Sequence, residues 1–172
     1  TERVKFLEDV GVDALTLHPR FFEEKFKRRA HHDLLAWAAS QTRLPLIACG
    51  DISGPDSVRA QADLLKPAVA IMIGRMAVAR PWIFATWETG GTVDAGEIWR
   101  KMHQYISEDF PPVIALRRLQ MFSRYYSANF QFGHQFHVDI SNATSMENAL
   151  ESANRFFDRN PALLSQASAA VF

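Results

Sequence analysis

Three short apolar runs at residues 14–18, 46–49 and 70–73 constrain this chain more than any other feature. Each is rich in β-formers and too short for a helix. His18 and Cys49 stand 31 residues apart, and Cys49 and Ile73 stand 24 apart, the length of successive βα units. Between the runs, residues 33–41 have an aspartate at the start and Leu34, Leu35, Trp37 and Ala38 on one face. Residues 55–65 begin with proline after Ser53 or Gly54 and turn Val58, Ala62 and Leu65 inward. Strands joined by helical crossovers of this length are parallel.

Beyond Arg80-Pro81-Trp82 the rhythm changes. From residue 95 no alternating apolar strand appears, and helices are expected at 97–110, 113–130, 146–160 and 161–170. Pro111-Pro112 separates the first two, because neither proline donates a helix hydrogen bond and each restricts the residue before it. The expected organisation is an α/β segment at 1–88, a linker at 89–94 containing Gly90-Gly91, and an all-α bundle at 95–172. Three parallel strands leave two sheet edges without partners, so the open sheet is not expected to be a complete protein, and an edge could pair with a second copy as a dimer. The opening Thr1-Glu2-Arg3, without an initiator methionine, carries the same expectation of a piece of something longer.

Composition excludes several classes. With 19 basic and 19 acidic residues the net charge is zero, so any polyanion must be held by a local patch. Cys49 is the one cysteine, which excludes a disulfide framework or a multi-cysteine metal site and fits a reducing, cytoplasmic location. No run approaches 18 apolar residues and no signal-like segment is present, so no membrane partner is expected.

In parallel α/β folds, ligands bind at the carboxyl ends of the strands. The residues there are His18-Pro19-Arg20, Cys49-Gly50-Asp51 and Gly74-Arg75. Gly50 and Gly74 let a backbone approach closely, while His18 and Arg75 offer donors to an anion. Phosphates commonly sit after the last two strands of a (β/α)8 barrel, and Gly50-Asp51 with Gly74-Arg75 fit that place. Singly, each has a plainer explanation: Asp51 as a helix cap, His18 as a satisfied strand-end histidine, Cys49 as a small core residue. Together they favour a phosphate-bearing ligand.

In the helical tail Arg117, Arg118 and Arg124 are interleaved with Phe122, Tyr125, Tyr126, Phe130 and Phe132. This pattern reads either as a phosphate-tracking face with aromatic platforms or as bundle-core aromatics beside solvated arginines. His134 and His137 lack cysteine or carboxylate partners at ligand spacing, and no metal is expected.

Four segments in order carry a resemblance: residues 13–20 (DALTLHPR), 44–52 (LPLIACGDI), 71–75 (IMIGR) and 80–84 (RPWIF). The chain resembles the tRNA-dihydrouridine synthases over residues 3–88, and its tail is similar in length, position and character. The resemblance implies the last three βα units of an FMN-binding (β/α)8 TIM barrel followed by a helical tRNA-binding domain. It implies that His18 contacts the flavin and that Cys49, Gly50, Asp51, Gly74 and Arg75 line the ribityl and phosphate site. Arg20 is implied near the RNA-facing mouth, and Arg117, Arg118 and Arg124 on the tRNA side. NADPH is the implied reductant, and the target uridine must leave its stack to be reduced.

The departures matter. The family usually has asparagine at Cys49, often an aromatic at His32, and a different turn at 66–69. By the resemblance the catalytic cysteine and a flavin-binding lysine belong to the N-terminal barrel half. These 172 residues contain no assigned catalytic residue and are expected to be inactive alone. Two other readings stand beside this one: a non-catalytic RNA-binding or interaction module, and another FMN-dependent barrel oxidoreductase.

Overall fold

Strands β1 (Leu15–Leu17), β2 (Leu46–Cys49) and β3 (Ala70–Met72) pair in parallel in the order β1-β2-β3. Leu15 lies opposite Leu46 and Leu17 opposite Ala48, while Ile47 lies opposite Ala70 and Cys49 opposite Met72. This is the computed structural model of the protein, and it describes residues 2–24 and 28–168. The three apolar runs thus become strands, each trimmed to its central residues. Buried Leu46, Ala48 and Cys49 lie on the central strand, flanked on both sides, whereas β1 and β3 form the edges.

The chain divides into two compact units, Thr1–Gly74 and Arg75–Phe172. In the first, α1 (Glu2–Asp9) precedes β1, α2 (Leu34–Gln41) follows it, and α3 (Pro55–Ala60) and α4 (Ala62–Leu65) lie between β2 and β3. The core is small: Leu35 of α2, Ala48 of β2 and Leu65 of α4, with Leu17, Val58, Ala68 and Ile71 packed against them. Asp33 stands at the start of α2 but makes no side-chain cap. The single helix expected over 55–65 is broken at Gln61. Its side-chain amide donates to the Ser57 carbonyl at 3.1 Å and its amide oxygen meets His32 Nδ1 at 2.8 Å. At the start of α3, Ser57 Oγ accepts from the Ser53 and Gly54 amides.

In the second unit α5 (Arg75–Ala79) leads to α6 (Ala95–Asp109), α7 (Pro112–Tyr126), α8 (Gly133–Ser141) and α9 (Met146–Phe157). Asp94 caps α6 by accepting from the Glu97 amide at 2.8 Å, and Ser145 caps α9 through the Asn148 amide. Trp99, Leu119, Tyr126, Phe136 and Ile140 are wholly buried at its centre. Trp99 Nε1 donates to Ser123 Oγ at 2.9 Å, and the Tyr126 hydroxyl donates to the Ala95 carbonyl at 2.7 Å. Helix α7 is shorter than expected, ending at Tyr126 and continuing as a 3-10 turn over Ser127–Asn129.

The helix expected at 161–170 is not there over its described part, and Ala169 and Ala170 lie outside the described residues. Residues 162–168 instead run as an extended strap. Leu163 bridges to Phe130, the Leu164 amide donates to the Asn129 carbonyl at 2.7 Å, and Arg80 donates to the carbonyls of Leu164 and Ser165. Asn129 accepts from Arg80 Nε and donates to the Ala79 carbonyl. These bonds tie α5 and the residues after it to the helices of the second unit.

Candidate functional site

Because the strands are parallel and in register, their carboxyl ends emerge on one side of the sheet. Within the first unit this brings together His18 after β1, Cys49, Gly50 and Asp51 at the end of β2, and Gly74 shortly after β3. Cys49 is buried and His18 exposed.

The turn after β2 is built from two residues in left-handed conformation, Gly50 at φ +106° and Asp51 at φ +50°. Only glycine fits the first of these. A Cβ there would lie 2.9 Å from the Ala30 methyl and 3.0 Å from His18 Cδ2, besides straining the backbone. Gly74 differs: a Cβ on it would meet nothing within 4 Å, so its backbone faces open space. Arg75 follows it as the first residue of α5, in the second unit.

Asp51 is not a helix cap. One carboxylate oxygen accepts from the Arg20 guanidinium and the other from the Ala30 amide at 2.7 Å. The Arg20 side chain is only 7% exposed. One face of the Arg20 guanidinium is thus turned onto Asp51. Pattern reading also missed the function of His32, which is buried, with Nδ1 on Gln61 and Nε2 3.4 Å from the Cys49 carbonyl. It braces the end of β2 from beneath. Nearby, His31 Nε2 sits 3.0 Å from both Glu24 oxygens, and that bond holds the Glu24 carboxyl below its ordinary value.

In the second unit Arg117, Arg118 and Arg124 are all exposed on α7, a helix without a single acidic residue. Among the described residues no ion pair involves Arg117 or Arg124. The Arg118 guanidinium lies 4.2 Å over the Phe110 ring, a cation–π contact that orients it while leaving it accessible. Burial first, then the charges of Arg124 and His134, pushes the His137 pKa below its ordinary value. Phe122, Tyr126 and Phe130 are core residues, so of the five aromatics only Phe132 stands fully exposed, with Tyr125 half-buried.

Both units fall inside one family match. The family model for dihydrouridine synthase (Dus) covers residues 1–169. The chain belongs to the dihydrouridine synthase family. The tail, which resembled the family only in general character, is thus part of the match. Relatives named tRNA-dihydrouridine synthase B include that of Proteus vulgaris, 31% identical over 88% of this chain and 50% of the relative. Those of Serratia marcescens and Escherichia coli K12 are each 30% identical over 88% of this chain, covering 49% and 51% of their own lengths. The chain spans about half the length of these dihydrouridine synthases. Among the described residues no helix is long and apolar enough to cross a membrane.

Proposed function

We propose that this chain is the C-terminal portion of a flavin-dependent tRNA-dihydrouridine synthase. In this reading the first unit supplies part of an FMN-binding (β/α)8 barrel and the second a tRNA-binding helical domain. The observation that carries it is the delivery of His18, Gly50-Asp51 and Gly74 to one side of a parallel sheet, in a chain of this family. The donors of the first unit fit FMN: an exposed imidazole at His18 and an open glycine backbone at Gly74. When bound, FMN supplies hydride chemistry towards a uracil ring, with NADPH as the source of electrons.

The chain's own residues hold and orient. His18 presents its ring beside the Gly50 turn, and His32 fixes the Cys49 carbonyl from below. Cys49, buried at the end of β2, is not placed to hand a proton to a substrate. These 172 residues therefore bind but do not reduce uridine alone, and the other barrel half must complete the pocket. The edges of β1 and β3, which pair with no further strand among the described residues, are where it, or a second copy of this chain, would add strands.

Helix α7 grips the RNA backbone through Arg117, Arg118 and Arg124. The test is tRNA binding to the chain as a function of salt. Arg117→Ala combined with Arg118→Ala should flatten the log–log salt slope by about 2, close to 0.9 per lost phosphate contact. Unchanged affinity and slope remove α7 from the interface. Flavin absorbance in the purified protein separates the flavin reading from a flavin-free RNA-binding module.

A further inference from the structure

We infer that Arg20 and Asp51 form a clasp that sets the Gly50 turn against His18, making Arg20 a positioning residue of the proposed cofactor side rather than an RNA contact. The inference rests on the functional reading above for the purpose of the clasp, but its geometry stands on independent observations.

The segment after β1 leaves the sheet at His18 and returns near Ala30. Its base is closed where the His31 amide donates to the Pro19 carbonyl at 2.7 Å. Asp51 joins it to the turn after β2, taking the Arg20 guanidinium on one oxygen and the Ala30 amide on the other. Asp51 can do this because its backbone is left-handed, a conformation that aspartate tolerates but does not prefer. The preceding Gly50 is packed so tightly on the Ala30 methyl and the His18 ring that a single added carbon would collide with both. One ion pair thus fixes three things together: the return of the loop at Ala30, the unusual turn at 50–51, and the contact between that turn and His18. The pair is sheltered, with side-chain exposures of 7% for Arg20 and 29% for Asp51, which strengthens a charge-assisted bond relative to a surface pair. Taking away either partner leaves the other a partly buried charge without this bond and loosens the turn.

The test uses the full chain and reads the turn directly. Arg20→Ala should displace the NMR signals of the Gly50 and Ala30 amides and of the His18 ring, and speed exchange of the Ala30 amide about tenfold or more. Arg20→Lys, which keeps the charge but loses the planar guanidinium, should fall between. Asp51→Asn isolates the charge, since asparagine accepts the same left-handed backbone and can still accept from Ala30. Signals from α6–α9 report whether the protein stays folded. FMN affinity, followed by quenching of flavin fluorescence, should fall about tenfold with Arg20→Ala and recover in part with lysine. If Arg20→Ala leaves Gly50, Ala30 and His18 unmoved, the clasp is wrong. If it weakens tRNA binding without moving them, Arg20 is an RNA contact after all. Absence of FMN binding by the unsubstituted chain would instead remove the flavin reading, while displaced signals would still establish the clasp.

Discussion

At the scale of single residues, the tightest constraint in the helical unit is Gly133. A Cβ on it would lie 1.9 Å from the Ser127 carbonyl oxygen, a backbone atom that cannot rotate away. Two effects oppose each other in Gly133→Ala. Alanine gains up to about 1 kcal/mol in helix propensity. The collision forces the backbone at Ser127 to move, and overpacking of this kind costs about 1–3 kcal/mol or more. The steric term wins, because Phe132 before it is already left-handed at φ +60° and the 3-10 turn at Ser127–Asn129 is buried on all three residues. The expected outcome is a helical unit destabilised by about 2 kcal/mol, with a melting midpoint lowered by about 4–8 °C per kcal/mol. A calorimetric scan showing an unchanged or raised midpoint would contradict this account of the α8 entry.

At the scale of elements, α1 shows how a helix with no buried residue is held. Glu8 accepts from the Thr42 hydroxyl at 2.5 Å and from the Arg43 amide at 2.8 Å, joining α1 to the segment between α2 and β2. The Thr42 bond first, then the Arg43 amide, lowers the Glu8 pKa below its ordinary 4.5. A carboxyl depressed in the folded state stabilises fully above its unfolded value and loses that contribution as pH falls through its folded value. The docking of α1 should therefore be intact from neutrality to about pH 5 and weaken below 4.5. Amide exchange at Arg43 reads this out, and Glu8→Gln should remove the pH dependence while leaving the site loosened at every pH. Such long-range bonds mark where sequence reading reaches its limit. The strands were legible because residues 14–18, 46–49 and 70–73 are β-rich at crossover spacing, and the strand-end glycines were legible from that placement. Gln61 reads as mid-helix until His32 claims its oxygen. Residues 161–168 read as helix until Arg80 and Asn129 take their backbone groups. The Arg20–Asp51 clasp joins residues 31 positions apart, and no periodicity announces it.

At the scale of the whole molecule the two units are built with unequal cores. Among the described residues the core cluster of the first has three buried members, and large apolar side chains such as Phe6, Trp37, Val69 and Met72 stand exposed. The core of the second buries eleven among the described residues, including Phe136 and also Trp99 and Tyr126, whose polar ends are bonded. Stability scales with apolar area removed from water, so the units should not unfold as one. Hydrogen exchange should show amides of α7 protected by something near the global stability, while β1 and β3 exchange through cheaper local openings. β2, paired on both sides, should be the slowest strand. Addition of the complementary half of a longer relative, or self-association at high concentration, would cover the edges and slow β1 and β3 selectively. Sedimentation in parallel distinguishes the two, since only self-association makes the mass of the isolated chain rise with its concentration. Equal protection of sheet and helices in the monomer would mean that the first unit completes its own fold, and the need for a second barrel half would fall with it.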